Sequence, residues 1–212
     1  MTTAIIGTGN IGSRLAADLA AGDQHFLLAG SSPAAAQALA DTLDGHATVV
    51  STDEAFAQAD VIILAVWLDV SKDLITTHRD SLAGKIVVDP SNPIGPDGNG
   101  GFHKIIPADQ SSGQLLAALL PPGASLVKAF GTLTADSLSA AARTDPRTVG
   151  FYAADDDAPG RTVAGLIEAA GFDPVLIGGL DSALRIEVGG DLHEMGGLGT
   201  TVTRTEALAV LH

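Results

Sequence analysis

The sequence predicts an α/β protein whose doubly wound, parallel β-sheet carries helices on both faces. Two observations predict this fold class. Short apolar runs alternate with helical patterns from residue 4 to residue 130, as they do in successive β-α-β units. The chain also opens with an apolar run at residues 4–6 that leads at once into a glycine-rich turn and a helical pattern. Such a turn between a strand and a helix is typical of a Rossmann-type, dinucleotide-binding fold.

The turn is a G-x-G-x-x-G motif that reads Gly7-Thr8-Gly9-Asn10-Ile11-Gly12. Gly7 permits the tight turn, Gly9 lets a pyrophosphate approach the backbone, and Gly12 lets the helix pack closely on the strand. The amides of the first helical turn and the helix dipole would then face the phosphates. The motif therefore predicts a dinucleotide site, and the alternative is a glycine-rich turn in another kind of α/β protein.

The remaining elements follow from their boundary residues. Gly22 ends the first helix, Ser32 before Pro33 opens the second, and the capping-box spacing of Ser51 and Glu54 opens the third. Further strands are predicted at residues 25–29, 47–50, 60–66, 85–89, 125–130, 148–153 and 173–177. Further helices are predicted at residues 34–43, 69–82, 111–120, 136–142, 158–170 and 205–211.

Residues 90–102 form the least regular stretch of the chain. Their proline and glycine content predicts a loop without regular structure. Because this loop follows the carboxyl end of a predicted strand, we expect it to form a lid or wall over a site. We divide the chain into a dinucleotide-binding Rossmann domain, residues 1–132, and a small C-terminal α/β part, residues 133–212.

Composition narrows the functional classes. The chain has 212 residues, a formal net charge of −14 and no cysteine, so disulfides and thiolate chemistry are absent. The acidic balance argues against nucleic acid and anionic membranes as partners. The longest apolar stretch, residues 61–68, is far too short to span a bilayer, and we expect a cytoplasmic protein.

The sequence contains no pattern for metal or acid–base chemistry. The six histidines are scattered, and His193-Glu194 fails to continue into H-E-x-x-H because residue 197 is glycine. No metal site and no catalytic side chain are predicted. A dinucleotide site without such groups suits direct hydride transfer between two bound rings, where the protein supplies alignment and excludes water.

The end of the second predicted strand bears on the choice of dinucleotide. NAD-binding units usually place an acid there to bond the ribose 2′-hydroxyl, whereas this chain has Gly30-Ser31-Ser32-Pro33. Two hydroxyls at a helix N-terminus favour the 2′-phosphate of NADP, although Ser32 could equally be only a helix cap. Trp67, which follows the fourth strand, could cover a cofactor ring or pack under the next loop.

Several segments resemble the F420-dependent NADP oxidoreductase family, whose members transfer hydride between NADPH and the deazaflavin coenzyme F420. They run in order over nearly the whole chain, and the Asp-Pro-Ser-Asn-Pro and Lys-Ala-Phe blocks are the more specific because generic dehydrogenases do not share them. The matching segments are Ile6-Gly7-Thr8-Gly9-Asn10-Ile11-Gly12, Gly30-Ser31, Leu64-Ala65-Val66-Trp67, Val88-Asp89-Pro90-Ser91-Asn92-Pro93, Val127-Lys128-Ala129-Phe130 and Ala183-Leu184-Arg185-Ile186-Glu187.

The resemblance implies a site with two halves and a homodimer to which the C-terminal part contributes. Members of the family bind NADP(H) and use coenzyme F420 as co-substrate. The implied NADP-binding residues are Gly7, Thr8, Gly9, Asn10, Ile11, Gly12, Ser31, Ser32, Ala65, Val66 and Trp67. The implied second-substrate residues are Ser91, Asn92, Pro93, Phe130, Gly131, Thr132 and Arg185.

Two positions depart from the family pattern. Archaeal members carry Arg where this chain has Ser32, and relatives typically carry Asn or His where it has Gly131. The second position faces the deazaflavin in the family. Three hypotheses follow: an NADPH–F420 hydride-transfer enzyme, an NAD(P)H reductase of another acceptor such as a flavin, quinone or imine, and a non-enzymatic NADP sensor. A pocket for a second ring would favour an enzyme over a sensor.

Overall fold

The computed structural model describes residues 1–98 and 101–211. The described residues form ten strands, eight of which belong to one sheet. In chain order the strands are β1 (Thr3–Ile6), β2 (Phe26–Ala29), β3 (Ala47–Val49), β4 (Val61–Leu64), β5 (Ile86–Asp89), β6 (Ile94–Pro96), β7 (Phe102–Lys104), β8 (Ser125–Ala129), β9 (Val149–Ala154) and β10 (Asp173–Leu176).

Eight α-helices and two 3₁₀ segments, Arg79–Leu82 and Leu180–Ile186, connect these strands in the described part of the chain. The α-helices are α1 (Asn10–Ala21), α2 (Pro33–Ala40), α3 (Thr52–Gln58), α4 (Leu68–Thr77), α5 (Ser112–Ala117), α6 (Ala135–Ala141), α7 (Asp157–Ala169) and α8 (Arg204–Val210). None of these helices has the length and apolar character needed to cross a membrane.

The main sheet has the order β10-β9-β8-β5-β4-β1-β2-β3. All neighbours pair in parallel except β8 and β9, which are antiparallel. The chain runs outward from β1 through β2 and β3, and then returns to the other side of β1 with β4. This reversal places the topological switch point, where ligands bind in such sheets, between β1 and β4. The fold is thus the predicted Rossmann-type α/β sheet.

Two hydrophobic layers cover the sheet, as its doubly wound topology requires. Ile5 and Val88 point to the layer made by α1, α2, α6 and α7. Ala4 and Val87, one residue away, point to the layer made by α3, α4 and α5. Successive strand residues face opposite sides of a sheet, so each central strand is apolar throughout.

The predicted C-terminal part continues the same sheet. Strands β9 and β10 lie beside β8, and the 3₁₀ segment Leu180–Ile186 packs on β9 through Ala183 and Ile186. A separate hydrophobic cluster therefore joins the end of the chain to the sheet. The division of the chain at residue 132 stays a prediction.

Two sequence expectations about local structure were wrong. Residues 90–102 contain regular structure, because β6 pairs antiparallel with β7 as a hairpin. Residues 69–82 do not form one helix. The helix α4 ends at Thr77. The ring of the next residue, His78, stacks on Phe56 with centroids 4.1 Å apart, and a 3₁₀ turn follows.

Candidate functional site

The glycine-rich turn leaves no room for side chains at its first and last positions. Gly7 has φ of +112°, and a Cβ atom there would lie 2.3 Å from the carbonyl oxygen of Ala65. A Cβ at Gly12 would lie 1.9 Å from the carbonyl oxygen of Gly7. The turn after β1 therefore packs directly against the end of β4, and these contacts require glycine.

Gly9 differs from both, because a Cβ atom there would meet no atom within 4 Å. Gly9 is the N-cap of α1 and brings no side chain to bond the first-turn amides. By contrast, the Oγ of Ser32 caps α2 by accepting from the amide of Ala35 at 3.3 Å. The uncapped helix start and the open space before it suit the phosphates of a dinucleotide.

The hydroxyl groups predicted near a 2′-phosphate lie at the end of β2. Ser31 and Ser32 are exposed, and a Cβ at Gly30 would lie 3.2 Å from the Oγ1 of Thr8. Thr8 therefore reaches across to the β2 end. Ser32 is a helix cap, as the alternative interpretation held, and its exposed hydroxyl is still free to face a ligand.

Ala65, Val66 and Trp67 follow β4, the neighbour of β1. A Cβ at Gly7 would lie 2.9 Å from the Cγ1 of Val66, so this segment borders the glycine-rich turn. Trp67 is 58% exposed and lies 6.4 Å, centroid to centroid, from Phe102, itself 59% exposed. Trp67 is not a packing residue under a loop. Phe102 was not predicted from the sequence, because only the β6–β7 hairpin brings it close to Trp67.

The predicted second-substrate loops follow β5 and β8, which are adjacent parallel strands. Asn92 connects both loops to the end of the chain. Its Nδ2 donates to the carbonyl oxygen of Gly131 at 2.9 Å, and its Oδ1 accepts from the amide of Val188 at 2.7 Å. Ser91 and Pro93 on either side are buried. The Asn92 side chain therefore fixes the shape of this half of the site.

The Phe130–Thr132 turn is tightly constrained. Phe130 is buried and has φ of +64°, a left-handed conformation that costs a non-glycine residue about 1–3 kcal/mol. A Cβ at Gly131 would lie 2.8 Å from the carbonyl oxygen of Pro90, so glycine is needed for this backbone path. The carbonyl oxygen of Thr132 accepts from the amide of Glu194 at 3.2 Å.

A fully buried group of charges lies beneath these loops, and sequence reasoning missed it. We call Asp89, Ser112, Lys128 and Glu187 the buried charge cluster. The Nζ of Lys128 lies 2.6 Å from the Oδ2 of Asp89, 2.7 Å from the Oγ of Ser112 and 3.6 Å from the Oε1 of Glu187, and it also donates to the carbonyl oxygen of Ser91. Lys128 and Asp89 are register partners on β8 and β5.

Both carboxylates also accept hydrogen bonds from other groups. The Oδ1 of Asp89 accepts from the amide of Ser91 at 2.8 Å. The Oε1 of Glu187 accepts from the hydroxyls of Ser111 and Ser112 at 2.8 and 2.9 Å. The Oε2 of Glu187 has no partner among the described residues. The cluster thus links β5, β8, α5 and the segment around Glu187 beneath the loop that follows β5.

Arg185, another predicted second-substrate residue, lies in the 3₁₀ segment Leu180–Ile186. Its guanidinium forms a forked pair with Asp191, at 3.0 Å from Nε and 2.8 Å from Nη2 to Oδ2. Hydrogen bonding to Asp191 raises the pKa of Arg185 and lowers the pKa of Asp191. The structure therefore gives Arg185 an intrachain partner, Asp191.

His193 completes the connection between the chain end and the second-substrate loops. Its Nδ1 accepts from the amide of Met195 at 2.9 Å, so its Nε2 is the donor to the carbonyl oxygen of Gly131 at 3.0 Å. Burial lowers the pKa of His193, with the bond to Gly131 acting in the opposite direction. A neutral His193 therefore holds the Phe130–Thr132 turn.

The profile of the family described as "NADP oxidoreductase coenzyme F420-dependent" matches residues 2–93. Metalloreductase STEAP3 of Rattus norvegicus is 31% identical over 183 residues, which are 86% of this chain. The chain spans 35% of the length of that relative.

Two solved structures share the fold over most of both chains. A hypothetical protein from Sinorhizobium meliloti is 33% identical with a TM-score of 0.83, and the match covers 96% of each chain. A protein from Arthrobacter sp. FB24, assigned as an F420-dependent NADP reductase, is 23% identical with a TM-score of 0.75 over 87% of each chain. The second likeness is one of fold alone.

Proposed function

We propose, from the match of residues 2–93 to the coenzyme F420-dependent NADP oxidoreductase family, that the chain transfers hydride directly between NADP(H) and coenzyme F420. One observation carries the proposal. The two predicted halves of the site share one edge of the sheet, because β1, β4, β5 and β8 are consecutive parallel strands. Two planar ligands bound at this edge could lie side by side.

The dinucleotide half rests on the start of α1 and the end of β2. The pyrophosphate would accept hydrogen bonds from the first-turn amides in the space before Gly9. The hydroxyls of Thr8, Ser31 and Ser32 would face the 2′-phosphate, with no acid among residues 30–33 to repel it. Trp67 would flank the nicotinamide, since it projects from the end of β4.

The second half is a rigid platform rather than a set of free polar side chains. Both polar atoms of the Asn92 side chain are already hydrogen bonded, to Gly131 and Val188. The buried charge cluster lies beneath the loop that carries Asn92 and bonds to it through Lys128 and Ser91. A planar ring would then be positioned mainly by loop shape and by the Trp67–Phe102 pair. This arrangement suits hydride transfer, in which the bound rings supply the chemistry and the protein supplies alignment and a dry site.

Two observations favour a second acceptor class. The chain is 31% identical to a protein named as a metalloreductase, and Gly131 departs from the residue that the resembling family carries. We therefore keep, as a second candidate, an NAD(P)H-dependent reductase of the same fold that acts on another acceptor, such as a flavin, quinone or imine. Homodimerisation is a further proposal that the family resemblance suggests.

The experiment mixes purified protein, NADPH and oxidised coenzyme F420 and follows the visible deazaflavin band, with NADH in parallel. We expect the band to bleach with NADPH and far more slowly with NADH. NADPH deuterated at the transferred C4 position should deliver its label to the reduced acceptor, because direct transfer does not exchange with water.

The same mixture with a free flavin or a quinone in place of F420 separates the two candidates. Reduction of the flavin or quinone without bleaching of F420 would replace the first candidate by the second. Tight NADPH binding with no acceptor reduced would contradict both and favour the sensor.

A further inference from the structure

A cluster of three potential metal ligands lies at the opposite edge of the sheet from the candidate site. One ligand atom from each of Asp23, His25 and His46 lies within 4.8 Å of the others. Asp23 and His25 precede β2, and His46 precedes β3. We propose that these three residues form a binding site for a divalent transition metal of the Zn²⁺ or Cu²⁺ type.

Strand pairing brings the two histidines together. β2 and β3 pair in parallel with Phe26 opposite Ala47, so the residues just before them occupy neighbouring positions. The amide of Phe26 donates to the carbonyl oxygen of His46 at 2.9 Å, which fixes the two backbones. The imidazole rings of His25 and His46 stack with centroids 4.7 Å apart. Strand pairing therefore sets the separation of the two backbones and brings the two rings together.

The turn after α1 places the carboxylate beside this pair. Asp23 has φ of +60°, and its amide donates to the carbonyl oxygen of Ala20 at 2.9 Å. The amide of Gln24 then donates to the carbonyl oxygen of Leu19 at 3.0 Å. These bonds hold Asp23 at the end of the helix, where its side chain reaches the histidines.

One nitrogen of the cluster points to a missing partner. The Nδ1 of His46 is buried and has no hydrogen-bond partner among the described residues. A buried polar atom without a partner is costly, and such atoms in folded proteins usually have one. A bound metal, or water on a bound metal, would remove that cost.

The ligand set selects the class of metal. Two imidazole nitrogens and a carboxylate suit Zn²⁺, Cu²⁺ and Ni²⁺, whereas Mg²⁺ and Ca²⁺ prefer oxygen ligands. Metal–ligand bonds of about 2.0–2.2 Å require the three ligand atoms to lie closer to one another than their present separations of up to 4.8 Å. Rotation of the exposed Asp23 and His25 side chains can provide this movement, and water would complete the coordination.

Such a metal would have a structural effect that can be measured. β3 is the last strand of the sheet, and the site would join its start to β2 and to the end of α1. A ligand that binds only the folded state raises the free energy of unfolding. Metal should therefore raise the melting temperature of the protein without any contact with the dinucleotide site.

The experiment uses tag-free, chelator-treated full-length protein titrated calorimetrically with Zn²⁺, and Cu²⁺ is added for electron paramagnetic resonance. We expect one equivalent to bind, a nitrogen splitting pattern typical of two imidazoles, and a higher melting temperature with Zn²⁺. His46→Ala and His25→Ala should each weaken Zn²⁺ binding more than about tenfold, since even outer-shell changes cost 10–100-fold. The matched control is His103→Ala, a change at an exposed histidine on β7.

Absence of saturable binding by the unmodified protein would overturn the proposal. Equal Zn²⁺ affinity of His46→Ala, His25→Ala and His103→Ala would overturn it as well, because the metal would then lie elsewhere. If a single variant unfolds, the copper spectrum of the unmodified protein still decides, since it must show two nitrogen ligands.

Discussion

The two halves of the candidate site are held in place by different means. On the dinucleotide side, the contacts that fix Gly7, Gly12 and Ser32 involve neighbouring residues or the adjacent strand end at Ala65. On the second-substrate side, Asn92 bonds Val188, which is 96 positions away, and Glu187 bonds Ser111, which is 76 positions away. One half is built from close backbone packing and the other from long-range polar contacts.

Because of this difference, substitutions in the dinucleotide half should affect ligand binding, whereas substitutions in the second-substrate half should affect the stability of the fold. The open space before Gly9 can be filled without disturbing the fold, so changes there should affect ligand binding alone. The buried charge cluster cannot lose a member without leaving charges unpaired in the interior. Changes there should affect the free energy of unfolding first, and the second-substrate loops with it.

The largest effect is expected from Lys128→Met in the buried charge cluster. The substitution keeps much of the side-chain volume but leaves the carboxylates of Asp89 and Glu187 buried without their cation. Breaking a buried ion pair from one side costs about 3–5 kcal/mol of unfolding free energy. Urea denaturation followed by circular dichroism measures this cost.

Lys72→Met is the matched control for that substitution. Lys72 pairs with Asp69 at 3.1 Å on the partly exposed surface of α4, where such pairs contribute about 0–1 kcal/mol. If the two variants unfold at the same urea concentration, the second-substrate half does not depend on its buried charges, and the comparison fails.

The next effect in size is expected from Gly9→Val in the glycine-rich turn. The new side chain would enter the space assigned to the pyrophosphate, and we expect NADPH affinity to fall about 100-fold, equivalent to about 2.7 kcal/mol. The melting temperature should change little, because a Cβ at Gly9 meets no atom within 4 Å. Fluorescence titration with NADPH and thermal melting give the two readouts.

Gly165→Val on α7 controls for the same exchange elsewhere, since its Cβ would also meet no atom within 4 Å. This variant should bind NADPH as the unmodified protein does. Unchanged NADPH affinity in Gly9→Val would remove the dinucleotide from the start of α1.

The contrast between the two halves also explains which parts of the structure could be predicted from the sequence. Most strands and helices lie within a few residues of their predicted bounds, because glycine, proline and capping residues mark them locally. The β6–β7 hairpin was missed because its pairing across residues 96 and 102 leaves no period-two pattern in a segment rich in proline and glycine. The break of α4 at His78 has no breaker residue to signal it.

The buried charge cluster is the clearest example of a feature that could not be predicted from the sequence. Asp89 and Lys128 are visible in the sequence as single polar residues in apolar strands, and each was noted only as part of a family block. Their pairing requires the strand order, since β5 and β8 are neighbours only in the folded sheet. Glu187 requires still more, because its position depends on how the chain end packs on β9.

The smallest effect is expected from Ser32→Asp, and it tests whether the dinucleotide half distinguishes NADPH from NADH. Aspartate can still cap α2 by accepting from the amide of Ala35, so the fold should be kept. Its charge beside a 2′-phosphate should weaken NADPH binding about thirtyfold, since unit charges 4 Å apart in water repel by about 1 kcal/mol and the phosphate carries about two. NADH, which lacks that phosphate, should bind as before or better through its ribose hydroxyl.

Ser32→Asn, a neutral cap of the same size, should leave both affinities unchanged. Parallel titrations of the three proteins decide the point: a loss of NADPH affinity in both variants would indicate size rather than charge, and no change in either would place the phosphate away from α2.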